Sequence, residues 1–245
     1  MEILNEENYN SAVAAWKEAK EEPNRISELL PPNFIFNLST DQIEWLKGIN
    51  KNNEFCVEMG VYEERLILIL CSLDKNGNKI NTGYYPYSYF ERLERDLKLT
   101  EIQTFKVVKH AVLSKDMRKI ENDSDLFFPI TEKPIMEQDK AIAAIDLWEY
   151  SGMDWFYEQY TSGNSQQIFN KFYVPSQKIY IDYQGLNFVC LFGLKFSEIY
   201  QKILPTLIFI AFENHLTSDG TSTISNTYDW AKPCPPICKI PDLLN

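Results

Sequence analysis

From Glu54 to Tyr62 apolar and polar residues alternate, and Phe55, Val57, Met59 and Val61 share one face of an extended chain. A period of two over this length predicts a half-buried strand. Glu63-Glu64 turns the chain, and Leu66-Ile67-Leu68-Ile69-Leu70 follows as an unbroken apolar run, as in a strand covered on both faces. Asp74-Lys75-Asn76-Gly77-Asn78 is a turn signal leading to a third strand near 79–84. Residues 178–183 and 186–193 read as a hairpin around Gln184-Gly185, and 206–212 as a core strand.

Helical spacing appears elsewhere. Ala12, Val13, Ala15, Trp16 and Ala19 form a stripe over 11–22 that Pro23 ends. Ser39-Thr40-Asp41-Gln42 is a capping box before Ile43, Leu46 and Ile49. Ser88-Tyr89-Phe90-Glu91 has the same form and predicts a helix to about 98. Pro134 suits a first helical position, with Ala141, Ile142, Ile145 and Trp148 inward to about Tyr150. Gly152 should break that helix, with shorter ones to Tyr160, over 165–172 and from Ser197. The β-branched residues of 101–113 favour a strand, and 121–125 reads as an acidic loop. From about 215 the chain is polar, then Pro- and Cys-containing, and lacks periodicity.

Helices and hairpins without βαβ alternation predict one α+β domain over 1–245, with a mostly antiparallel sheet, hairpins near 54–84 and 178–193, and flanking helices. No linker and no internal repeat stands out.

Charge adds a direction. The net charge is −11, of which residues 1–150 carry −9, whereas 17 of the last 95 residues are aromatic. An acidic field repels nucleic-acid phosphates and anionic lipid, and favours a basic protein partner. The acidic start lacks the apolar core of a signal peptide, and the run over 207–212 is too short to span a bilayer, so a cytoplasmic location is expected. Frequent Asn, Lys and Ile suit an AT-rich bacterial genome.

The nine glycines form no G-x-G-x-x-G, no phosphate-binding Gly-Lys-Ser/Thr and no G-x-S-x-G, so the usual nucleotide cradles and the α/β-hydrolase elbow are excluded. Only His110 and His215 are present, which confines histidine chemistry to two positions. His110 has no identifiable carboxylate partner and reads as structural. His215 follows the predicted core strand 206–212, at a strand end where sites collect.

Cys234 and Cys238 stand four apart in a Pro-rich segment and could be free thiols, a small disulfide loop or half of a zinc site completed by His215 and Asp219. Cys56, Cys71 and Cys190 fall in predicted strands and read as core residues. Asp123-Ser124-Asp125 has the D-x-D form of metal-dependent sugar transfer but reads as solvated. Trp148, Tyr150, Trp155, Phe156, Tyr157 and Tyr160 could line a groove, though at this spacing they read as a core edge.

The expected function is therefore a non-catalytic protein-binding module, of a toxin-neutralising or accessory kind, without a cofactor. The alternative is a metal-assisted hydrolase built on His215, Asp219, Cys234 and Cys238.

Overall fold

A computed structural model describes residues 1–94, 96–97, 106–117, 119–127, 138–176, 187–212, 227–229 and 231–235. It shows the expected α+β fold, four helices against a large antiparallel sheet that curls nearly into a barrel.

The chain opens with β1 (Glu2–Asn5), α1 (Glu6–Ala19) and α2 (Pro23–Leu29). Asn5 caps α1 by accepting from Asn8 N at 2.8 Å. Pro23, expected to end a helix, instead begins one, because at the first helical position its missing N–H costs nothing. Next come β2 (Phe34–Leu38) and α3 (Thr40–Ile49), whose Ser39–Gln42 capping box forms as predicted. β3 (Glu54–Tyr62), β4 (Arg65–Cys71) and β5 (Tyr84–Arg92) make a meander.

β5 overturns the helix expected from Ser88. The Ser88 hydroxyl donates to Asn37 O at 2.6 Å instead of capping, and Tyr85, Tyr87 and Tyr89 alternate onto one buried face. The third strand of the meander thus lies later than 79–84, where only an isolated Leu73–Lys79 bridge forms. A separate ribbon follows, β6 (Lys106–Leu113) with β7 (Lys119–Phe127), so the acidic stretch 121–125 is a strand and not a loop.

α4 (Gln138–Thr161) runs unbroken through Gly152. An added Cβ there would stand 3.2 Å from the Trp148 ring, so this glycine makes room for an indole and breaks nothing. A short 3-10 turn (Ser165–Gln167) and β8 (Lys171–Pro175) replace the helix expected over 165–172. β9 (Asn187–Ser197) and β10 (Lys202–Phe212) form a long hairpin that confirms the core strand, while 177–186 lie outside the described residues. β11 (Thr227–Asp229) and β12 (Lys232–Cys234) follow, three-residue strands that periodicity cannot show.

The sheet order is β11-β10-β9-β2-β5-β4-β3-β8-β12, with β1 also on β5. β11 lies on β10 and β12 on β8, only two residues apart in the chain, so one stretch bridges the two ends of the sheet. Thr206 Oγ1 donates to Ala231 O at 3.0 Å across that seam. β5 bridges in the same way, pairing with β4 over 87–89 and with β2 over 90–92.

The circuit thus divides into two units of like topology, α1-β2-β3-β4-β5 and α4-β8-β9-β10-β11/β12. A corresponding contact confirms the match. An added Cβ on Gly60 of β3 would meet Ile69 Cδ1 at 2.9 Å and the Ala12 Cβ of α1 at 3.2 Å. One on Gly193 of β9 would meet Ile208 Cδ1 at 2.8 Å and the Ala144 Cβ of α4 at 3.3 Å. In each unit the helix alanine stands 3.2–3.3 Å from where a strand Cβ would be, so the glycine lets helix and strand approach closely. One turn further, Trp16 and Trp148 are both buried, stacked on Phe169 and Phe192. The molecule therefore contains the internal repeat that its sequence did not reveal.

Phe36, Phe55, Phe172, Phe188, Phe192 and Phe209 pack inside the curl with Leu68 and Leu207. Among the described residues no helix is long and apolar enough to cross a membrane.

Candidate functional site

Of the four residues of the zinc reading, Cys234 alone lies among those described. It is buried in β12, opposite Lys171 of β8, and disulfide-bonded. A sulfur in a disulfide is not a thiolate and lacks the charge that holds zinc. His215, Asp219 and Cys238 lie outside the described residues. Cys56, Cys71 and Cys190 are free and buried, as expected of core thiols, and burial pushes each thiol well above its ordinary pKa. They rest protonated and are not poised nucleophiles. His110 stands in β6 at the register position of Asp123 in β7.

The two helix–sheet interfaces differ in chemistry. Beneath α4 the packing is apolar: Ala141, Ala144, Val189, Leu191, Ile208 and Ile210. Beneath α1 the corresponding places hold Tyr9, Ala12, Cys56, Glu58, Ile69 and Cys71. Cys56 and Cys71 are cross-strand partners, as Val189 and Ile210 are. Tyr9 OH donates to Glu58 Oε2, Lys79 Nζ donates to Tyr9 OH, and Cys71 Sγ lies 3.7 Å from the same carboxylate oxygen. Lys79 Nζ also stands 3.4 Å from Glu58 and 4.1 Å from the Tyr9 ring centre, while Tyr85 stacks on Tyr9 at 4.0 Å. Burial, then the neighbouring Cys71 and Glu58, push the Tyr9 phenol far above its ordinary range. Tyr9, Lys79 and Cys71 thus converge on one oxygen of the Glu58 carboxylate.

A cleft of about 210 Å³ lies between Glu2, Ser39, Gln42, Tyr87, Tyr89 and Glu91. Its amide and hydroxyls are largely bound to one another: Gln42 Nε2 donates to Tyr87 O at 2.7 Å and to Ser88 Oγ at 3.1 Å.

The outer surfaces of the two helices differ in the opposite sense. α1 shows solvent Asn10, Ser11, Lys17 and Glu18. α4 shows Ile142, Tyr150, Met153 and Tyr157, with Tyr150 86% and Tyr157 68% exposed. Ile142 stands where α1 has Asn10, and Tyr150 where it has Glu18. The aromatic run of the sequence is thus divided. Trp148, Trp155 and Phe156 are core, Tyr150 and Tyr157 face solvent, and Tyr160 donates to Lys20 O at 2.7 Å.

The connections differ as well. β3 and β4 join through two residues, Glu63 and Glu64, flanked by Tyr62 and Arg65. From Gly193 to Ile208 the β9–β10 hairpin is six residues longer than from Gly60 to Ile69, and it exposes Phe196, Ile199, Tyr200 and Ile203. Trp155 Nε1 donates to Ile203 O at 3.2 Å and so ties this hairpin to α4. The outer stripe of α4 forms the candidate interface. No sequence signal separated its tyrosines from the core aromatics beside them, because both sets recur at helical spacing. No protein-family model matches the chain, and no curated protein or solved structure matches it.

Proposed function

We propose that this chain is a non-catalytic module that binds another protein through the outer face of α4, as an accessory or toxin-neutralising partner would. One observation carries the reading: α4 exposes Ile142 and Tyr150 where the equivalent helix has Asn10 and Glu18, and it continues that apolar stripe through Met153 and Tyr157 beyond the length of α1. The packing of α4 on the sheet does not need Ile142 or Tyr150 outside, since α1 packs the same way with Asn10 and Glu18 there. Contiguous exposed apolar surface rimmed by charge marks sites of association.

The test is retention from the soluble proteome of the source cell on immobilised full-length chain, beside a Tyr150→Ala/Met153→Ala/Tyr157→Ala variant. A protein held at low salt by the former and lost from the latter is the expected result. If the two retain the same proteins, the reading fails. The alternative, a metal-assisted hydrolase on His215, Asp219, Cys234 and Cys238, has three of its four residues outside those described, and stoichiometric zinc lost on Cys234→Ser would support it.

A further inference from the structure

Resting on that reading, we infer that the occupant of the α4 face is a cationic amphipathic helix of the partner protein. The spacing of the stripe argues for a helix. Asp139, Ile142, Asp146, Tyr150, Met153 and Tyr157 follow one another at intervals of three, four, four, three and four residues. This is the seam along which one helix packs on another, with knobs from each entering holes between four residues of its neighbour. The seam lies opposite the buried side made by Ala141, Ala144, Trp148, Gly152 and Trp155, so α4 keeps its fold contacts while a second helix lies along its outside. At 24 residues α4 is long enough for five to six turns of such packing.

Charge argues for the sign of the occupant. α4 carries Asp139, Asp146, Glu149, Asp154 and Glu158 against a single base, Lys140. Asp139 and Asp146 lie in the seam itself, and Asp154 is exposed beside it. A packed helix must meet them with Lys or Arg, since two carboxylates covered without a partner would oppose docking. The apolar end of the seam, Tyr150, Met153 and Tyr157, calls for Leu, Ile or Met on the same helix, and tyrosine rings accept a flanking guanidinium on their faces. The occupant thus has bases toward one end of its apolar stripe and a clean apolar stripe toward the other. Its orientation is fixed by the aspartates at the N-terminal half of α4.

The probes are synthetic helical peptides titrated into the full-length chain and read by amide NMR shifts and calorimetry. One peptide carries a Leu stripe with Lys and Arg beside it, one has the same stripe with Glu, and one is a scrambled form of the basic peptide. The basic amphipathic peptide should bind with shifts confined to the outer face of α4. Asp139→Asn/Asp146→Asn should weaken it about tenfold or more, as should Tyr150→Ala/Tyr157→Ala. Equal binding of the acidic or scrambled peptide, or indifference to Asp139→Asn/Asp146→Asn, overturns the cationic helix but leaves the α4 interface standing if the tyrosine variant still loses binding. Indifference to the tyrosine variant, with its circular dichroism and melting unchanged, removes both.

Discussion

The two halves of the sheet solve the same packing problem with opposite distributions of chemistry. In both, a helix crosses a strand glycine through an alanine and buries a tryptophan one turn later. The N-terminal half then places Tyr9, Glu58, Lys79 and two thiols near or beneath its helix and leaves the outside polar. The C-terminal half is apolar beneath its helix and exposes Ile142, Tyr150, Met153 and Tyr157 among carboxylates outside. What the halves share is what the fold requires. Where they diverge, at the cluster under α1 and at the surface of α4, the residues are free to serve something else.

Trp16→Ala and Trp148→Ala test the shared part and should be the most damaging substitutions. Each removes a buried indole and should cost about 3–5 kcal/mol of stability in urea unfolding. Trp16 should cost more, because its Nε1 also donates to Phe169 O at 2.9 Å inside the core. A tryptophan that can be lost cheaply would break the equivalence of the halves.

Gly60→Ala and Gly193→Ala come next. A methyl group at either site meets an isoleucine Cδ1 at under 3 Å and an alanine of the covering helix, so each should cost about 1–3 kcal/mol. The two values should agree more closely with one another than with alanine substitution at Gly48, which has open space around it.

The third test converts one half toward the other. Cys56→Val/Cys71→Ile gives the N-terminal interface the residues of its counterpart. In the wild type, burial holds the native thiols protonated to higher pH than in the unfolded chain. Their contribution to stability is complete below the unfolded value of about 8.5 and is lost as pH rises from there toward the native value. Midpoints of urea unfolding measured upward from about pH 8 should therefore fall. The fall should be shallower in the double variant, with Cys190 contributing equally to both proteins.

The smallest effect on stability is expected at the surface. Tyr150→Ser/Tyr157→Ser should change unfolding by about 0.5 kcal/mol or less per site, because these side chains contact mainly solvent. A large loss would mean that α4 needs its outer tyrosines for folding, and the contrast with α1 would no longer indicate a binding face.

Local grammar was legible where one signal acted alone. The box at Ser39 became the expected helix start, and 54–62 became a strand, though one buried on both faces and not half-buried, because α1 covers Cys56 and Gly60. Ser88 shows the limit. Its box has the same letters, but the neighbouring Tyr85, Tyr87 and Tyr89 gain more from a pleated surface covered by α1 and β1 than from a helix. Gly152 reads as a breaker until an indole is placed over it. The candidate interface was named in part, as an aromatic run, but exposure depends on which side of α4 meets the sheet, and both sides carry aromatics.

The sequence by itself determined the α+β class, the two hairpin-rich regions, the acidic charge and the narrow range of histidine chemistry. These follow from local periodicity and from counts, which need no knowledge of what touches what. Only the tertiary structure decided that the sheet closes on itself through a few residues near Ala231, and that two units share one plan. Their common positions are few, and their spacing differs by one residue between helix and strand and by six across the hairpin, so no fixed period records them. The same packing decided which tyrosines are left outside, because burial is settled by the partner surface and not by the side chain.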